Sequence, residues 1–401
     1  MLDRVICIAG KNSIAIDVLK YVLEKYSHIK VVACVNRTEN YINNWQYSFG
    51  KYCLDRKVEI VNLEQLFNYP NLYLFSMEFD QLIDTRKFVS KKLFNIHFSL
   101  LPAFKGMFTS ALPILYNANE TGVTLHLIDD GIDTGDIIAQ EKFIIENEYD
   151  CRDLYMNYLK RGTDLVILNF DKLLTNNFVA KKQPYLGSSY FSKKTIDYKN
   201  IVIDLNKTAH EISRQIRAFS FREYQLPTVY GHLIYKAIIL ESRSFFKPGT
   251  VLKEDLLSIV ISSVDYDVCL MKDQLKELHE AASLGDLQKI VDIHNSGFDI
   301  TVKDQNGWDV LIIAAFNGRL DVVKWIVAYG LVGVNSINFK GTTALMYAMT
   351  YAANTKDRSV LKYLVSEGAD LKLTDDSNCD IFYYAKEYDY ELYNYLINLS
   401  S

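Results

Sequence analysis

Proline is scarce in this chain, with six in 401 residues, so no proline-rich linker or proline-rich disordered segment is written into it. Long apolar runs are missing as well. No stretch approaches the roughly 20 residues that a helix needs to cross a bilayer. The apolar run near Met1 is too brief for the core of a signal peptide, and the expectation is a cytoplasmic protein with no membrane role. Six cysteines (Cys7, Cys34, Cys53, Cys151, Cys269 and Cys379) include no CxxC pair and no Cys/His cluster. That pattern implies free thiols in a reducing compartment and no metal centre. An excess of basic charge is absent too: the net charge is -5, with 18 acidic against 12 basic residues from Leu270 onward and 31 against 32 before it. A body without a basic field is a poor match for a large nucleic-acid footprint, while a small phosphate site remains allowed.

What is present is apolar and ordered. Hydrophobic residues make up 49% of the chain, which implies folded structure almost throughout, and 401 residues exceed one ordinary core. Val5-Ile6-Cys7-Ile8-Ala9-Gly10 reads as a buried strand closed by glycine, residues 12–26 as an amphipathic helix and 29–35 as a second strand. Strand, glycine turn, helix and strand open a parallel α/β sheet. The first turn, Gly10-Lys11-Asn12-Ser13, is either an anion subsite at a helix start or a plain turn capped by Ser13. It lacks the GxGxxG pattern of dinucleotide sites. Further strands are expected over 71–76, 95–99, 122–128 and 137–143, and a closing helix over 153–174.

From about residue 181 the texture changes. A turn-rich connector leads to a helix over 207–219 and then to short alternating runs between 228 and 262, the pattern of a small β-rich domain. The tail repeats: Gly307 and Gly341 start units 34 residues apart, each followed by alanine-rich helical stretches such as Leu311-Ile312-Ile313-Ala314-Ala315 and Ala344-Leu345-Met346-Tyr347-Ala348. These features resemble ankyrin repeats, which bury their faces by stacking. The expected domains are 1–180, 181–268 and 269–401. Trp308 stands at a turn position that rarely holds a large aromatic ring. It implies contact with a protein or a flat small ligand, or cover for its own repeat.

The chemistry centres on Phe94-Asn95-Ile96-His97-Phe98-Ser99-Leu100-Leu101-Pro102 and on Gly131-Ile132-Asp133-Thr134-Gly135-Asp136. Residues two apart on a strand share a face, so Asn95 and His97 point the same way. A carboxylate delivered by the glycine-bracketed turn would complete an amide, imidazole and carboxylate set suited to acyl transfer. In that set His97 is the base, Asn95 the oxyanion donor and Asp133 the group that orients the imidazole or a water. His126 faces the core or supports the turn.

Asn-x-His-x-Ser-Leu-Leu-Pro, Gly-Val-Thr-Leu-His and Asp-Thr-Gly-Asp together resemble the formyltransferase family that uses N10-formyltetrahydrofolate, over about residues 1–240. The resemblance implies a Rossmann-like parallel sheet followed by a small β-rich domain, and it implies Asn95, His97 and Asp133 as catalytic residues. It also implies folate contacts at Met77, Glu78, Phe79, Asp129 and Asp133. Gly10-Lys11-Asn12 and the stretch from Arg217 to Pro227 look most like sugar N-formyltransferases. Those enzymes formylate an amine on a dTDP-linked dideoxy sugar. For such a substrate Phe221 and Tyr224 would stack on thymine, Gln225 would bond its edge, Lys11 or Arg217 would meet the diphosphate, and Asn12 would lie beside it. The ankyrin tail is similar to that of enzymes acting on dTDP-3-amino-3,6-dideoxyglucose, an O-antigen sugar precursor, and a homodimer is expected. Lys105 departs from the family, which often has arginine there and with it a bidentate fork. Two rivals are a methionyl-tRNA formyltransferase, which would want a basic tail, and an ankyrin binding protein with an inactive front domain.

Overall fold

The computed structural model describes residues 4–400. The chain forms two compact units, one made of the chain up to Ile42 with Gln46–Lys272, the other of Asn43–Trp45 with the chain from Asp273 onward.

The first unit holds two main sheets and a third of two strands. In chain order the elements of the larger one are β1 (Val5–Gly10), α1 (Asn12–Lys25), β2 (Lys30–Val35), α2 (Phe49–Asp55), β3 (Glu59–Ile60), β4 (Leu72–Met77) and β5 (Leu93–His97). They are followed by β6 (Lys105–Gly106), α3 (Leu112–Leu115), β7 (Glu120–Leu127), β8 (Ile137–Ile144) and α4 (Cys151–Leu174). The sheet order is β3-β2-β1-β4-β5-β7-β8. Strands β1 to β5 run parallel, and β7 pairs antiparallel with both β5 and β8, so β7 alone is reversed and the sheet is parallel-dominated rather than wholly parallel. The nine residues between β7 and β8 are too few for a parallel crossover, which needs a dozen or more.

β1 and β4 are buried along their whole lengths, as strands covered on both faces must be. Helix α1 turns Ile14, Val18, Leu19 and Val22 inward at helical spacing. Helix α4 opens with a capping box of Asp150 and Asp153 and buries Leu154, Tyr158, Val166 and Phe170. Gly10 has a steric reason: a Cβ there would sit 2.0 Å from the Met77 carbonyl oxygen, so only glycine lets the ends of β1 and β4 close up. Ser13 is not the cap of α1, since Lys11 occupies that position without a side-chain bond and Asn12 takes a left-handed φ of 61°.

The connector carries β9 (Tyr190–Phe191), which pairs with β6. Helix α5 (Ala209–Phe219) then packs on a five-stranded antiparallel sheet of β10 (Thr228–Val229), β11 (His232–Arg243), β12 (Val251–Glu254), β13 (Ser258–Ile261) and β14 (Tyr266–Lys272). Ile212 and Ile216 of the helix meet Ile234, Ile259, Ile261, Val268 and Leu270 of the strands. Strand β14 corrects the expected boundary after Val268: alternate residues Val268 and Leu270 belong to the sheet core, the strand runs to Lys272, and the second unit takes over at Asp273.

Among its described residues the second unit holds four helix pairs, one more than the repeats traced in the sequence. They are α6 (Leu275–Leu284) with α7 (Leu287–Asn295), α8 (Val310–Phe316) with α9 (Leu320–Ala328), α10 (Ala344–Thr355) with α11 (Ser359–Ser366), and α12 (Ile381–Tyr388) with α13 (Tyr390–Ser400). Asp309, Thr343 and Asp380 each accept a backbone N–H at the start of the first helix of a pair, the recurrent N-cap of a repeat array. Among the described residues no helix is long and apolar enough to cross a membrane.

Candidate active site

The C-terminal ends of parallel strands are where open α/β sheets bind ligands, and the expected catalytic residues meet there. His97 is the last residue of β5 and is buried. Its Nε2 lies 2.8 Å from the carbonyl oxygen of Phe104. A carbonyl only accepts, so Nε2 carries the hydrogen and Nδ1 keeps the lone pair. Nδ1 lies 3.4 Å from Asp133 Oδ2. Burial drives the His97 pKa below its ordinary value and His126 pushes the same way, while Asp133 and the Phe104 carbonyl oppose the shift without cancelling it.

Asp133 lies on the loop between β7 and β8 in a left-handed conformation, φ 54°, which costs on the order of 1–3 kcal/mol in a non-glycine residue. Its Oδ2 accepts the Gly106 N–H at 2.9 Å. Gly106 itself has φ 87°, and a Cβ there would strike the Phe191 carbonyl at 2.2 Å, so glycine is required for this approach. Burial alone would raise the Asp133 pKa; His97, His126 and the Gly106 N–H outweigh it and hold the pKa at about 2. At neutral pH the site therefore pairs a carboxylate with an imidazole whose burial favours the neutral form.

Asn95 connects to the same network through His126. In the β5–β7 pair these two residues stand directly opposite each other. His126 Nδ1 donates to the Leu127 carbonyl at 2.7 Å, which leaves Nε2 as the acceptor for Asn95 Nδ2 at 3.1 Å. That bond fixes which end of the amide is the donor, and the second N–H points toward Asp133 Oδ1 at 3.5 Å. His126 thus has a definite role, orienting Asn95, that the sequence left between core packing and turn support. The set combines an oriented amide donor, a ring lone pair and a carboxylate. This is a donor set that fits a formyl group being passed to an amine.

The loop after β4 differs from a simple reading surface. Met77 is fully buried and Phe79 packs on the core beside Ile83 and Ile128. The Met77 carbonyl accepts the Lys11 N–H, and the Glu78 carbonyl accepts Asn36 Nδ2 at 3.0 Å. Glu78 instead turns its carboxylate into a polar cluster: Asn12 Nδ2 donates to it at 3.1 Å and the Tyr155 hydroxyl at 2.8 Å, with Gln46 Nε2 donating to that hydroxyl at 2.6 Å. Burial raises the Glu78 pKa against the opposing pull of Lys11, Tyr155 and Asn12. Tyr155 and Gln46 carried no sequence signal, because α4 reaches β4 only through the fold. Asp129 binds its own loop, accepting the Gly131 N–H at 3.1 Å and the Thr134 hydroxyl at 2.6 Å.

Of the expected substrate residues, Phe221 is a core ring, 4% exposed, held between Tyr155 and Tyr224 with centroids 5.6 and 4.7 Å away. Burial takes it out of the expected thymine stacking. Tyr224 is 57% exposed. Arg217 donates to the Tyr149 carbonyl at 2.8 Å, and burial lowers its pKa. Gln225 folds back on Phe221 through its backbone at 2.7 Å. Lys105 reaches Ser188 Oγ at 3.2 Å. In the second unit Trp308 is only partly exposed: it packs on Tyr347 and Phe316, with centroids 4.6 and 5.3 Å away. Among the described residues no group of three or more His, Cys, Asp or Glu could hold a metal ion.

Comparison with known proteins agrees with this geometry. Residues 80–170 match the formyl transferase family model and residues 278–375 match the model for three ankyrin repeats. The crystal structure of WlaRD, a sugar 3N-formyl transferase with dTDP and 5-N-formyl-THF, is 42% identical with a TM-score of 0.63, covering 68% of this chain and 98% of that one. The N-formyltransferase from Helicobacter canadensis in complex with folinic acid and dTDP-3-aminofucose is 40% identical with a TM-score of 0.62, covering 67% and 99%. Methionyl-tRNA formyltransferase of Coxiella burnetii is 31% identical over 171 residues, 42% of this chain and 54% of that protein. The chain therefore spans about half the length of the curated relatives it matches. It belongs to the folate-dependent formyltransferase family. Its first unit is similar to the sugar N-formyltransferases, and ankyrin repeats follow it.

Proposed function

We propose that this protein transfers the formyl group of N10-formyltetrahydrofolate to the amine of a dTDP-linked 3-amino-3,6-dideoxy sugar, with dTDP-3-amino-3,6-dideoxyglucose as the leading substrate. The observation that carries the reading is the Asn95, His97, His126 and Asp133 network at the end of β5. The amine must lose a proton as it attacks, and His97 Nδ1 holds the lone pair to take it. The imidazolium so formed finds the Asp133 carboxylate 3.4 Å away, which favours the charged form; its proton passes to N10 as the formyl C–N10 bond breaks and tetrahydrofolate leaves. Asn95 is oriented by His126, and its second N–H, held only at 3.5 Å from Asp133 Oδ1, is the one that turns to the carbonyl oxygen as negative charge builds there. One oxyanion donor of this kind contributes on the order of 10²–10³ in rate.

The 3-amino position is favoured by the similarity to a sugar 3N-formyl transferase and to a formyltransferase bound to dTDP-3-aminofucose. Tyr224, on the surface beside Phe221, is the ring assigned to the thymine, and Asn12 and Lys11 lie at the strand end where a diphosphate would approach. An acidic tail, 18 acidic against 12 basic residues, speaks against gripping tRNA. The product would serve O-antigen assembly, in the cytoplasm and from a homodimer. The tail, with Trp308 at the centre of its aromatic cluster, is assigned a contact role toward a protein or small ligand. Incubation with the formyl donor and a panel of 3-amino and 4-amino dTDP sugars, read by mass spectrometry, tests the reading. The expected product is the 3-amino sugar nucleotide heavier by one formyl group. Formylation of methionyl-tRNA alone, or of no amine, would overturn it.

A further inference from the structure

The segment joining the two main sheets of the first unit reaches both members of the proposed catalytic pair. Lys181 bridges Ile137 at the start of β8, with N–H to carbonyl distances of 2.7 and 2.8 Å. Two residues on, Gln183 Nε2 donates to the carbonyl oxygens of Asp133 and Gly135, each at 2.8 Å. Six residues later the Ser189 hydroxyl accepts the Phe104 N–H at 2.8 Å, while the Ser189 backbone pairs with Lys105 and Pro102. Phe104 is the residue whose carbonyl takes His97 Nε2.

Both residues held in this way carry strained backbones, φ 54° at Asp133 and 55° at Phe104. Such conformations persist only where the surroundings over-determine them. Each bond also has the right chemical sense. The groups at Gln183 are two carbonyls, which need a donor, and an amide supplies two N–H groups from one nitrogen. The group at Ser189 is an N–H, which needs an acceptor. Strand β5 fixes the His97 Cα, but the ring's tautomer and its distance from the carboxylate depend on where the Phe104 carbonyl and the Asp133 backbone are held.

We propose that Gln183 and Ser189 are positioning residues for catalysis. Gln183 sets the place of the Asp133 carboxylate, and Ser189 sets the carbonyl that keeps the hydrogen of His97 on Nε2 and its lone pair on Nδ1. The groups facing His97 are Asp133, His126 and the Phe104 carbonyl. Loosening Asp133 removes the main opposition to burial and lowers the His97 pKa further. Loosening Phe104 frees the ring to exchange tautomers.

This inference rests on the formyl-transfer reading for its kinetic consequence, and its structural core is tested without activity. Imidazole nitrogen NMR of the full chain would follow His97 in the wild type, Gln183→Ala, Ser189→Ala and the control Tyr185→Ala, whose ring is 97% exposed on the same segment. The expected result is an Nε2–H tautomer in the wild type and control, mixed tautomers in Ser189→Ala, and a lower His97 pKa in Gln183→Ala. In turnover, kcat falls about 10–100-fold in Gln183→Ala with KM for the sugar nucleotide within about twofold, the size expected for misplacement of a catalytic group by about 1 Å. Its acid limb moves to lower pH. Unchanged His97 tautomer and pKa in both variants overturn the proposal, as does a fall in kcat that tracks thermal stability with the acid limb unmoved. An inactive wild type with the NMR differences intact would instead count against the formyl-transfer reading alone.

Discussion

Asp133 and Asp309 are both sheltered aspartates two residues after a glycine, and they behave as opposites. Asp309 in the ankyrin unit is 1% exposed and has an ordinary extended backbone. One oxygen caps α8 by accepting the Ile312 N–H at 3.0 Å and the other accepts the Ser336 hydroxyl. Its oxygens are engaged by its own repeat. Asp133 in the first unit sits in a left-handed conformation, and beyond one 2.9 Å bond to Gly106 it faces two imidazoles and an amide at 3.4–3.7 Å. The contrast separates a carboxylate bound within its own repeat from one held, at a conformational cost, beside the proposed base His97.

Substitution should break the comparison along that line. The largest effect belongs to Asp133→Asn: kcat is expected to fall about 10²–10⁴-fold, the range for a group that supports acid–base catalysis, with the circular dichroism spectrum unchanged and the melting temperature lowered, since a carboxyl held at about 2 adds stability at neutral pH. The pH dependence comes next. The base must be neutral, and burial sets the His97 pKa below 6.5; Asp133, near 2, stays ionised over the working range. The rate is therefore expected to hold through neutrality and to decline only as pH falls below 6.5, in a single acid limb assigned to His97. An acid limb centred at or above 6.5 in the kcat/KM profile, which reports the free enzyme, would contradict the assignment. His126→Ala should cost about 10-fold or more in kcat by releasing the Asn95 amide, up to the 10²–10³ of a lost oxyanion donor. In the tail, Asp309→Ala should leave kcat within about twofold and destabilise the repeats by about 0.5–2 kcal/mol, the value of an N-cap, measured by urea unfolding. The smallest effect on turnover is expected from Trp308→Ala, which opens the cluster with Phe316 and Tyr347. Unchanged kinetics, ligand affinity and oligomeric state in that variant would remove the contact role assigned to the tail.

The two regions also differ in how readily the sequence discloses them. The tail's caps recur with the repeat, so Gly307 and Gly341 located them; the final pair, α12 and α13, follows Asn378 rather than a glycine and was missed for that reason. In the first unit β1, α1 and β2 were legible because apolar spacing and Gly10 act locally. That β7 and β8 run antiparallel to each other was available in principle from the length of their connection, but which of them is reversed against the parallel strands is not encoded in apolar pattern. Asn95, His97 and Asp133 were readable because they lie within two compact motifs. The roles of His126, Glu78 and Tyr155 were not, because each depends on a partner brought by a different element: β5 for His126, α1 and α4 for Glu78, and β4 for Tyr155. Phe221 and Trp308 show the limit of reading aromatics one by one, since neighbours that decide their exposure come from elsewhere in the fold.

The central claim is that His97 Nδ1 is the base for formyl transfer and that its environment, rather than the tail, carries the chemistry. The most direct measurement is single-turnover formylation of dTDP-3-amino-3,6-dideoxyglucose by the full chain and by His97→Asn, with dTDP affinity measured on both. The account predicts rapid product formation by the wild type, a loss of about 10²-fold or more in the variant, and equal dTDP binding. A variant that retains its rate within about threefold would contradict it.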